Sequence, residues 1–391
     1  MAQVKQLENF AGACRFLWNK LLRLNLDRLQ QHQSILWYSE SDYWSKLWKS
    51  SQEFSFLKQV PAHCLQQKMR DLSRAFKDAF DTKQPNKRIP VFRKKGLHDS
   101  FRFPEPKQIQ IQNRRIKLPK LGWIGFFKSQ DIEGEVRNVT VSKESGHWYI
   151  AIQVEQTLNN ELERPTTAIG IDVGIAKFAT LSDGTMIEPL HVFRRYEKRL
   201  AKSQKKLSIK RKYSNNWRKQ QLRIQRIHSK IRRIRHDFLH KLTTKLSKNH
   251  AMIVIEDLKI SNMSRSAKGG LDAPGKNVRA KSGLNKSILD QSWGEFRRQL
   301  TYKQDWCGGI LLEVPARHTS QRCELCGHTE KANRLDQSHF ECQSCGYKEN
   351  ADVNAARNIL AAGHAVLACG ETGLPASMKQ EPLGKGNLVL T

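Results

Sequence analysis

Four cysteines and three acids are the residues of this chain whose types and spacing could do chemistry. Cys323 and Cys326 form one CxxC pair, and Cys342 and Cys345 form a second, with fifteen residues between the pairs. That spacing belongs to a four-thiolate zinc site. Glycine follows the second cysteine of each pair (CELCG and CQSCG). It suits a knuckle whose backbone amides turn toward sulfur and where a Cβ would crowd the turn. Four thiolates leave no position for water, so the expected ion is one structural Zn²⁺. His318, His328 and His339 are expected to be ordinary polar residues of the ribbon, or nucleic-acid contacts.

The acids are Asp172, Glu256 and Asp352. In IGIDVGIAKFA, strand alternation puts Ile169, Ile171, Val173 and Ile175 on one face and Gly170, Asp172 and Gly174 on the other. The two glycines would leave open space beside the carboxylate, enough for a metal and a phosphodiester. A turn aspartate capping a loop is the structural alternative. Glu256 ends MIVIE, a buried-type strand, where an unpaired carboxylate is costly unless it sits at the strand mouth or binds a cation. Asp257 competes with it, and alternation lets only one of the two point toward Asp172. Asp352, in ENADVNAARNILAAG, falls in the first turn of a helix closed by Gly363, with Asn350 as its cap. There the helix macrodipole alone would favour an acid.

Each acid alone is weak evidence; their order along the chain is stronger. An early strand bearing Asp, a later strand ending in Glu and a terminal helix bearing Asp is the order of an RNase H-like nuclease core. Three such carboxylates can hold two Mg²⁺ ions about 4 Å apart, one activating water and one stabilising the leaving oxygen. Hard oxygen ligands suit Mg²⁺ and thiolates do not, so the two metal systems are expected to be separate.

The elements that must position these residues follow from periodicity. Residues 1–84 read as helical, with Phe10, Cys14, Leu17, Leu21, Leu24 and Arg28 at helical spacing and a second helix near Ala62 to Phe80. From about Arg88 to Gln156 short β-type runs alternate with turns. IQIQNRRIKLP and VRNVTVSKESGHWYIAIQV read as hairpins, and together they suggest a small barrel or sandwich. An apolar strand and a tight hairpin at Asp183-Gly184 come next. A helical region over about 194–248 then carries the stripe Ile227, Ile231, Ile234, Phe238, Leu242 and Leu246. SRSAKGGLDAPGKNVRAKSG reads as a loop, residues 288–302 as a helix and ILLEVPA as a strand. The tail after Gly363 reads as disordered.

With 391 residues, 38% of them hydrophobic, the chain can build two or three domains. Its net charge of +31 demands a polyanion. No apolar run reaches the roughly 20 residues of a spanning helix, and MAQVKQLENF is no signal peptide. The expected partner is therefore nucleic acid, in the cytosol or nucleoid, with no membrane. Cys14, Cys64, Cys307 and Cys369 are scattered and read as small apolar residues. On the long helical region only Glu197 and Asp237 oppose the cations. Arg194, Arg195, Lys198, Lys205, Lys206, Arg211, Arg218, Arg223, Arg226, Arg232 and Arg233 are thus expected to line an RNA or heteroduplex channel, since solvated faces usually mix Lys with Glu.

With these residues in hand, the chain resembles the TnpB family, RNA-guided nucleases of bacterial insertion sequences and relatives of type V CRISPR effectors. The resemblance spans nearly the whole chain. It rests on FAGACRFLWNKLL, GIDVGIAKFATLSDG, VIEDLKISNM and the block HTSQRCELCG…CQSCGYKENADVNAARNI. It implies that Asp172, Glu256 and Asp352 are a RuvC-type catalytic triad, and that the fold is α/β and multidomain. The implied domains are a helical recognition lobe (1–84), a wedge-like β-barrel (85–165) and a RuvC-like core (166–316) with a basic helical insert (191–250). A zinc ribbon (317–348), a last core helix (349–362) and the tail (363–391) complete them. The implied activity is Mg²⁺-dependent, RNA-guided cleavage of double-stranded DNA beside a short motif. Sequence would come from guide pairing, while Gln66, Gln67 and Arg70 are candidates to read the motif's base edges. Family members usually begin with an extra β-strand before the glutamine corresponding to Gln3 or Gln6. This chain lacks it, so the barrel is expected one strand short or the true start upstream. Two further readings use the same residues: an unguided structure-selective nuclease or transposase, and a guided repressor that binds without cutting. Finally, the ribbon's place just ahead of Asp352 is expected to fix the entry of that helix.

Overall fold

Why the first 80 residues are largely helical is visible in their spacing. Leu7, Phe10, Cys14, Leu17 and Leu21 recur every three or four residues, and all are buried on one face of α1 (Ala2–Gln30). The structure is a computed structural model that describes residues 2–97, 99–157, 166–270, 273–368 and 387–390. It divides into two compact units, residues 1–157 with 384–391, and 158–383.

In the first unit α1 is followed by α2 (Tyr38–Ser50) and α3 (Ala62–Phe80). The β-region comprises β1 (Ser100–Phe103), β2 (Gln110–Gln112), β3 (Arg115–Leu118), β4 (Gly122–Gly125), β5 (Glu135–Glu144) and β6 (His147–Glu155). The β5–β6 turn is Ser145-Gly146, both at positive φ, the tight hairpin geometry whose twist matches its strands. β2, β3 and β4 form one antiparallel sheet. β1, β5 and β6 form another, with the strand Asn387–Leu390 at its edge. Among the described residues no pairing closes the expected barrel. Instead both sheets share one core with α1 and α3: Phe10, Leu17 and Phe76 lie in the same cluster as Phe101, Ile116 and Val139.

The second unit is built on a five-stranded sheet. β7 (Ala168–Val173), β8 (Ala179–Leu181) and β9 (Met186–Ile187) run antiparallel in sequence, and β10 (Met252–Glu256) and β11 (Ile310–Val314) lie parallel to β7 on its other side. The strand order is β11-β10-β7-β8-β9. Between β9 and β10 run α4 (Val192–Ser208) and α5 (Asn215–Asn249). The predicted apolar stripe is shared between two neighbours. Ile227 and Ile231 pack with Val192 and Leu200 of α4, while Phe238, Leu242 and Leu246 pack with Ile169 and Ile253 of the sheet.

After α6 (Ile260–Met263), the last six residues of the expected loop, 278–283, are helical, and the helix expected over 288–302 is divided between α7 (Val278–Gln291) and α8 (Trp293–Cys307). They meet at Ser292, whose left-handed φ of 61° breaks the helix and turns Trp293, Phe296 and Leu300 onto the sheet. The chain ends its core with β12 (His339–Glu341), β13 (Lys348–Asn350) and α9 (Ala351–Ala368). Gly363 does not close α9; the helix runs five residues past it. A Cβ there would lie 2.4 Å from a Val254 methyl, so this glycine permits close packing on β10. The expected disordered tail is thus helix to Ala368 and strand at Asn387–Leu390; the rest of it, 369–386 and 391, lies outside the described residues.

Candidate active site and metal centre

The last paired residues of β7 and β10 are Ile171 and Ile255. Asp172 and Glu256 are the next residue on each, side by side on adjacent parallel strands. Both face α9, because Gly170 and Val254, two residues back, contact that helix. Alternation sends Asp257 elsewhere: its carboxylate pairs with Lys259 at 2.5 Å and Arg297 at 3.3 Å.

Gly170 departs from expectation. Its face holds no open space for substrate: a Cβ would sit 2.2 Å from the Ala356 carbonyl and 2.8 Å from Leu360 Cβ. The glycine instead lets α9 lie against the strand, as Gly363 does on β10. That close approach brings Asp352, in the first turn of α9, to the end of the sheet where Asp172 lies. Asn350 caps the helix, its Oδ1 accepting from the Asp352 amide at 3.0 Å and the Val353 amide at 3.3 Å.

Electrostatics record the crowding. Burial raises the Asp172 carboxyl, the Glu256 and Asp352 carboxylates raise it further, and the net effect pushes it up to about 8 despite Arg334 nearby. Burial also raises Glu256, opposed by the Thr319 hydroxyl, which donates to its Oε1 at 2.6 Å. Asp352 is held by Arg334 at 3.2 Å. Neither Thr319 nor Arg334 is legible as a site residue, since only the fold brings them to the acids. Three converging carboxylates of this kind have the chemistry of a hard divalent-cation site.

The second centre is compact. The sulfurs of Cys323, Cys326, Cys342 and Cys345 all lie within 4.8 Å of one another, and among the described residues no other group of three or more Cys, His, Asp or Glu is so tightly drawn. Cys323 and Cys345 Sγ are 3.8 Å apart, and Cys326 and Cys342 3.5 Å. The edge of a tetrahedron with metal–sulfur bonds near 2.3 Å is about 3.8 Å. Gly327 and Gly346 close the two knuckles, each donating to the first cysteine's carbonyl at 2.9 Å. Their need for glycine is conformational, at φ 77° and 69°, and not the expected crowding, since a Cβ on either would meet nothing closer than 3.7 Å. His328 and His339 pair with Glu330 and Asp336, and His318 lies beside Arg317 and Gln321.

The ribbon is fastened to α9. Buried Asn354 accepts from the Glu324 amide at 3.1 Å and donates to the Arg322 carbonyl at 2.8 Å. One turn on, Asn358 donates to the carbonyls of Thr319 and Arg322. Arg357 reaches Glu324 at 2.6 Å and the Ser182 carbonyl at 3.2 Å. The signal for this seam was two asparagines at i, i+4 on an alanine-rich helix.

The predicted basic residues of α4 and α5 (Arg194, Arg195, Lys198, Lys205, Lys206, Arg218, Arg223, Arg226, Arg232 and Arg233) and Arg211 between the helices are all exposed. The two acids of the region are engaged, Glu197 with Lys286 and Asp237 with Lys241. On α3, Gln66 is half-buried, Gln67 donates to Asp71, and the Arg70 guanidinium lies 4.9 Å from the Tyr38 ring centre.

Comparison with known proteins matches these regions. A family model described as "Probable transposase" matches residues 139–267, one described as "Cas12f1-like, TNB domain" matches 293–359, and one described as "Helix-turn-helix domain" matches 1–34. A Streptomyces pristinaespiralis protein named "Putative RNA-guided DNA endonuclease" is 32% identical over 395 residues, covering 97% of this chain and 93% of its own. The Cas12f1 "CRISPR-associated endodeoxyribonuclease" of Sulfoacidibacillus thermotolerans is 41% identical over 71 residues, 18% of this chain and 17% of its own. The Escherichia coli (strain K12) protein named "Putative RNA-guided DNA endonuclease InsQ" is 53% identical over 380 residues, 96% of this chain and 93% of its own. Identity at that level along nearly the full length of both chains means that this chain belongs to the TnpB family.

Proposed function

We propose that this protein is the RNA-guided DNA endonuclease of a transposable element, hydrolysing target double-stranded DNA beside a short motif. The observation that carries the chemistry is the convergence of Asp172, Glu256 and Asp352 at one end of the sheet, where the charges of Glu256 and Asp352 raise the Asp172 carboxyl and a cation would offset them. The strand order β11-β10-β7-β8-β9, with an antiparallel β7-β8-β9 unit and two parallel strands beside it, supports an RNase H-like core of the RuvC type. Bound Mg²⁺, held by the three carboxylates, would supply Lewis-acid stabilisation of the charge that builds on the phosphodiester.

The chain's own residues prepare that site. Thr319 orients Glu256 through its hydroxyl, Asn350 fixes the first turn of α9, and the Arg334 ion pair aims Asp352. The four cysteines would hold a structural Zn²⁺, locking the ribbon that carries Thr319 and Arg334 beside the acids. The exposed cations of α4 and α5 would neutralise the backbone of guide RNA or heteroduplex, giving affinity without sequence preference. The site of action is then the bacterial cytosol, where guide and target DNA meet.

The test is to express the protein with its native flanking DNA, sequence the RNA that copurifies, and assay cleavage with that guide. A discrete RNA with a variable 3′ segment, with cutting abolished by Asp172→Ala while RNA binding persists, is the expected result. Heterogeneous RNA, or cleavage by Asp172→Ala at the wild-type rate, refutes the reading.

A further inference from the structure

The tip of the α4–α5 hairpin carries a feature that backbone neutralisation does not use. α4 ends at Ser208 and α5 starts at Asn215, and the connecting residues include Tyr213, 73% exposed and at a left-handed φ of 65°. A bulky aromatic residue is a costly occupant of that backbone region, where glycine or asparagine serves a turn with less strain. Its exposure gains nothing from burial either. The ring is backed by Trp217, with centroids 5.5 Å apart and planes at 55°. Two contacts stiffen the support. Ser214 Oγ accepts from the Trp217 amide at 3.1 Å, and buried Gln220 on α5 donates to the Ser203 carbonyl on α4 at 2.9 Å. Exposed Lys205, Lys206, Arg211, Lys212, Arg218 and Lys219 lie within eight residues of Tyr213 in the sequence, and no acid lies in the sequence between Glu197 and Asp237.

We propose that Tyr213, braced by Trp217, is a stacking platform for an unpaired base of a bound nucleic-acid strand, with the flanking cations on its phosphates. The inference rests on the reading of α4 and α5 as a nucleic-acid surface. It adds a point at which that surface distinguishes unpaired from paired nucleotides. A cationic track with an exposed aromatic face is how single strands are held without sequence preference, since every base has a π-face. Phosphate contacts alone would make the track indifferent to pairing.

The test uses the full-length protein with single-stranded RNA and DNA oligonucleotides, unmodified for affinity and carrying 5-iodouracil for photo-crosslinking mapped by mass spectrometry. Cross-links are expected at Tyr213. Tyr213→Gly should lower single-strand affinity roughly five- to hundredfold, the worth of one stacked base, and Tyr213→Phe should retain it. Because glycine relieves the positive φ, the Tyr213→Gly protein should unfold at or above the wild-type temperature, so a lost affinity is not lost folding. Salt-sensitive binding that persists unchanged in Tyr213→Gly, or cross-links that map away from the tip, would overturn the platform and leave the basic surface standing. Equal cross-linking of Tyr213 to a fully paired duplex would also overturn it. Absence of salt-sensitive binding in the wild-type protein would overturn both readings.

Discussion

Arg334, from the cysteine ribbon, and Asp352, in the first turn of α9, form an ion pair 3.2 Å long at the end of the sheet that carries Asp172 and Glu256. The same guanidinium lowers the Asp172 carboxyl against the two acids that raise it. Removing it therefore acts on two carboxylates at once. Arg334→Ala should move the pH midpoint of Mg²⁺ binding upward, since Asp172 loses its counter-charge and stays protonated to higher pH. Arg334→Lys should restore most of the midpoint. Calorimetric Mg²⁺ titrations across pH 6 to 9 measure the shift; an unchanged midpoint in Arg334→Ala would mean that the ion pair does not tune the site.

Asp172 also makes a prediction about stability. Its folded value of about 8 lies well above the ordinary carboxylate value of 3.8. Between those limits the folded state holds a proton that the unfolded state has lost, so stability of the cation-free protein falls as pH rises through that window. Well below pH 3.8 both states are protonated and the penalty vanishes. Asp172→Asn, which cannot ionise, should be more stable than the cation-free wild type at pH 8.5, by roughly 2 kcal/mol or more given about 1.4 kcal/mol per pKa unit, and by less than about 1 kcal/mol at pH 4. Urea melts in EDTA at the two pH values decide it.

Gly170 tests how the third acid reaches the other two. A methyl group there would stand 2.2 Å from the Ala356 carbonyl, a backbone atom that cannot swing aside. Gly170→Ala should thus push α9 off β7 and cost about 1–3 kcal/mol, the usual range for overpacking. Because α9 carries Asp352, DNA cleavage should fall much further than RNA binding. Cleavage at the wild-type rate with a normal melting temperature would show that the helix tolerates the shift.

How far the molecule was legible follows the range of the interactions. Periodicity located α1, α3 and the strands around Asp172 and Glu256, because each pattern is written in residues within one or two turns of one another. CxxC spacing reports a cluster for the same reason: the knuckle is local. What escaped was tertiary. The roles of Gly170 and Gly363 depend on a helix and a strand meeting nearly two hundred and about a hundred residues apart in sequence. Thr319 and Arg334 look like ordinary loop residues until the ribbon folds onto α9. Ser292, neither glycine nor proline, breaks a helix at a residue whose type does not announce it.

The seam between ribbon and helix makes the thiolates testable apart from the acids. Asn354 and Asn358 satisfy backbone groups of Thr319, Arg322 and Glu324, so unfolding the knuckles leaves two buried asparagines without partners and frees Thr319 and Arg334 from the acids. Cys342→Ser with Cys345→Ser should abolish cleavage while guide-RNA affinity falls severalfold at most, because the basic helices lie elsewhere in the chain. Wild-type protein should release about one Zn²⁺ per chain on thiol modification, followed colorimetrically. Loss of RNA binding in parallel with cleavage would mean that the ribbon supports the whole fold and not the site.

The basic helices can be read by salt. Each lysine that neutralises a phosphate adds about 0.7 to 0.9 to the slope of log affinity against log salt. Lys205 and Lys206 are exposed near the end of α4, with no carboxylate partner among the described residues, whereas Lys241 on α5 is paired with Asp237 at 2.7 Å. Lys205→Ala with Lys206→Ala should therefore flatten the slope for RNA by about 1.5 and weaken binding alike for unrelated sequences. Lys241→Ala, whose charge is already answered, should leave the slope nearly unchanged. Fluorescence anisotropy between 50 and 300 mM salt separates the outcomes. Equal flattening by both substitutions would mean that net charge alone, not a track along α4, sets the affinity.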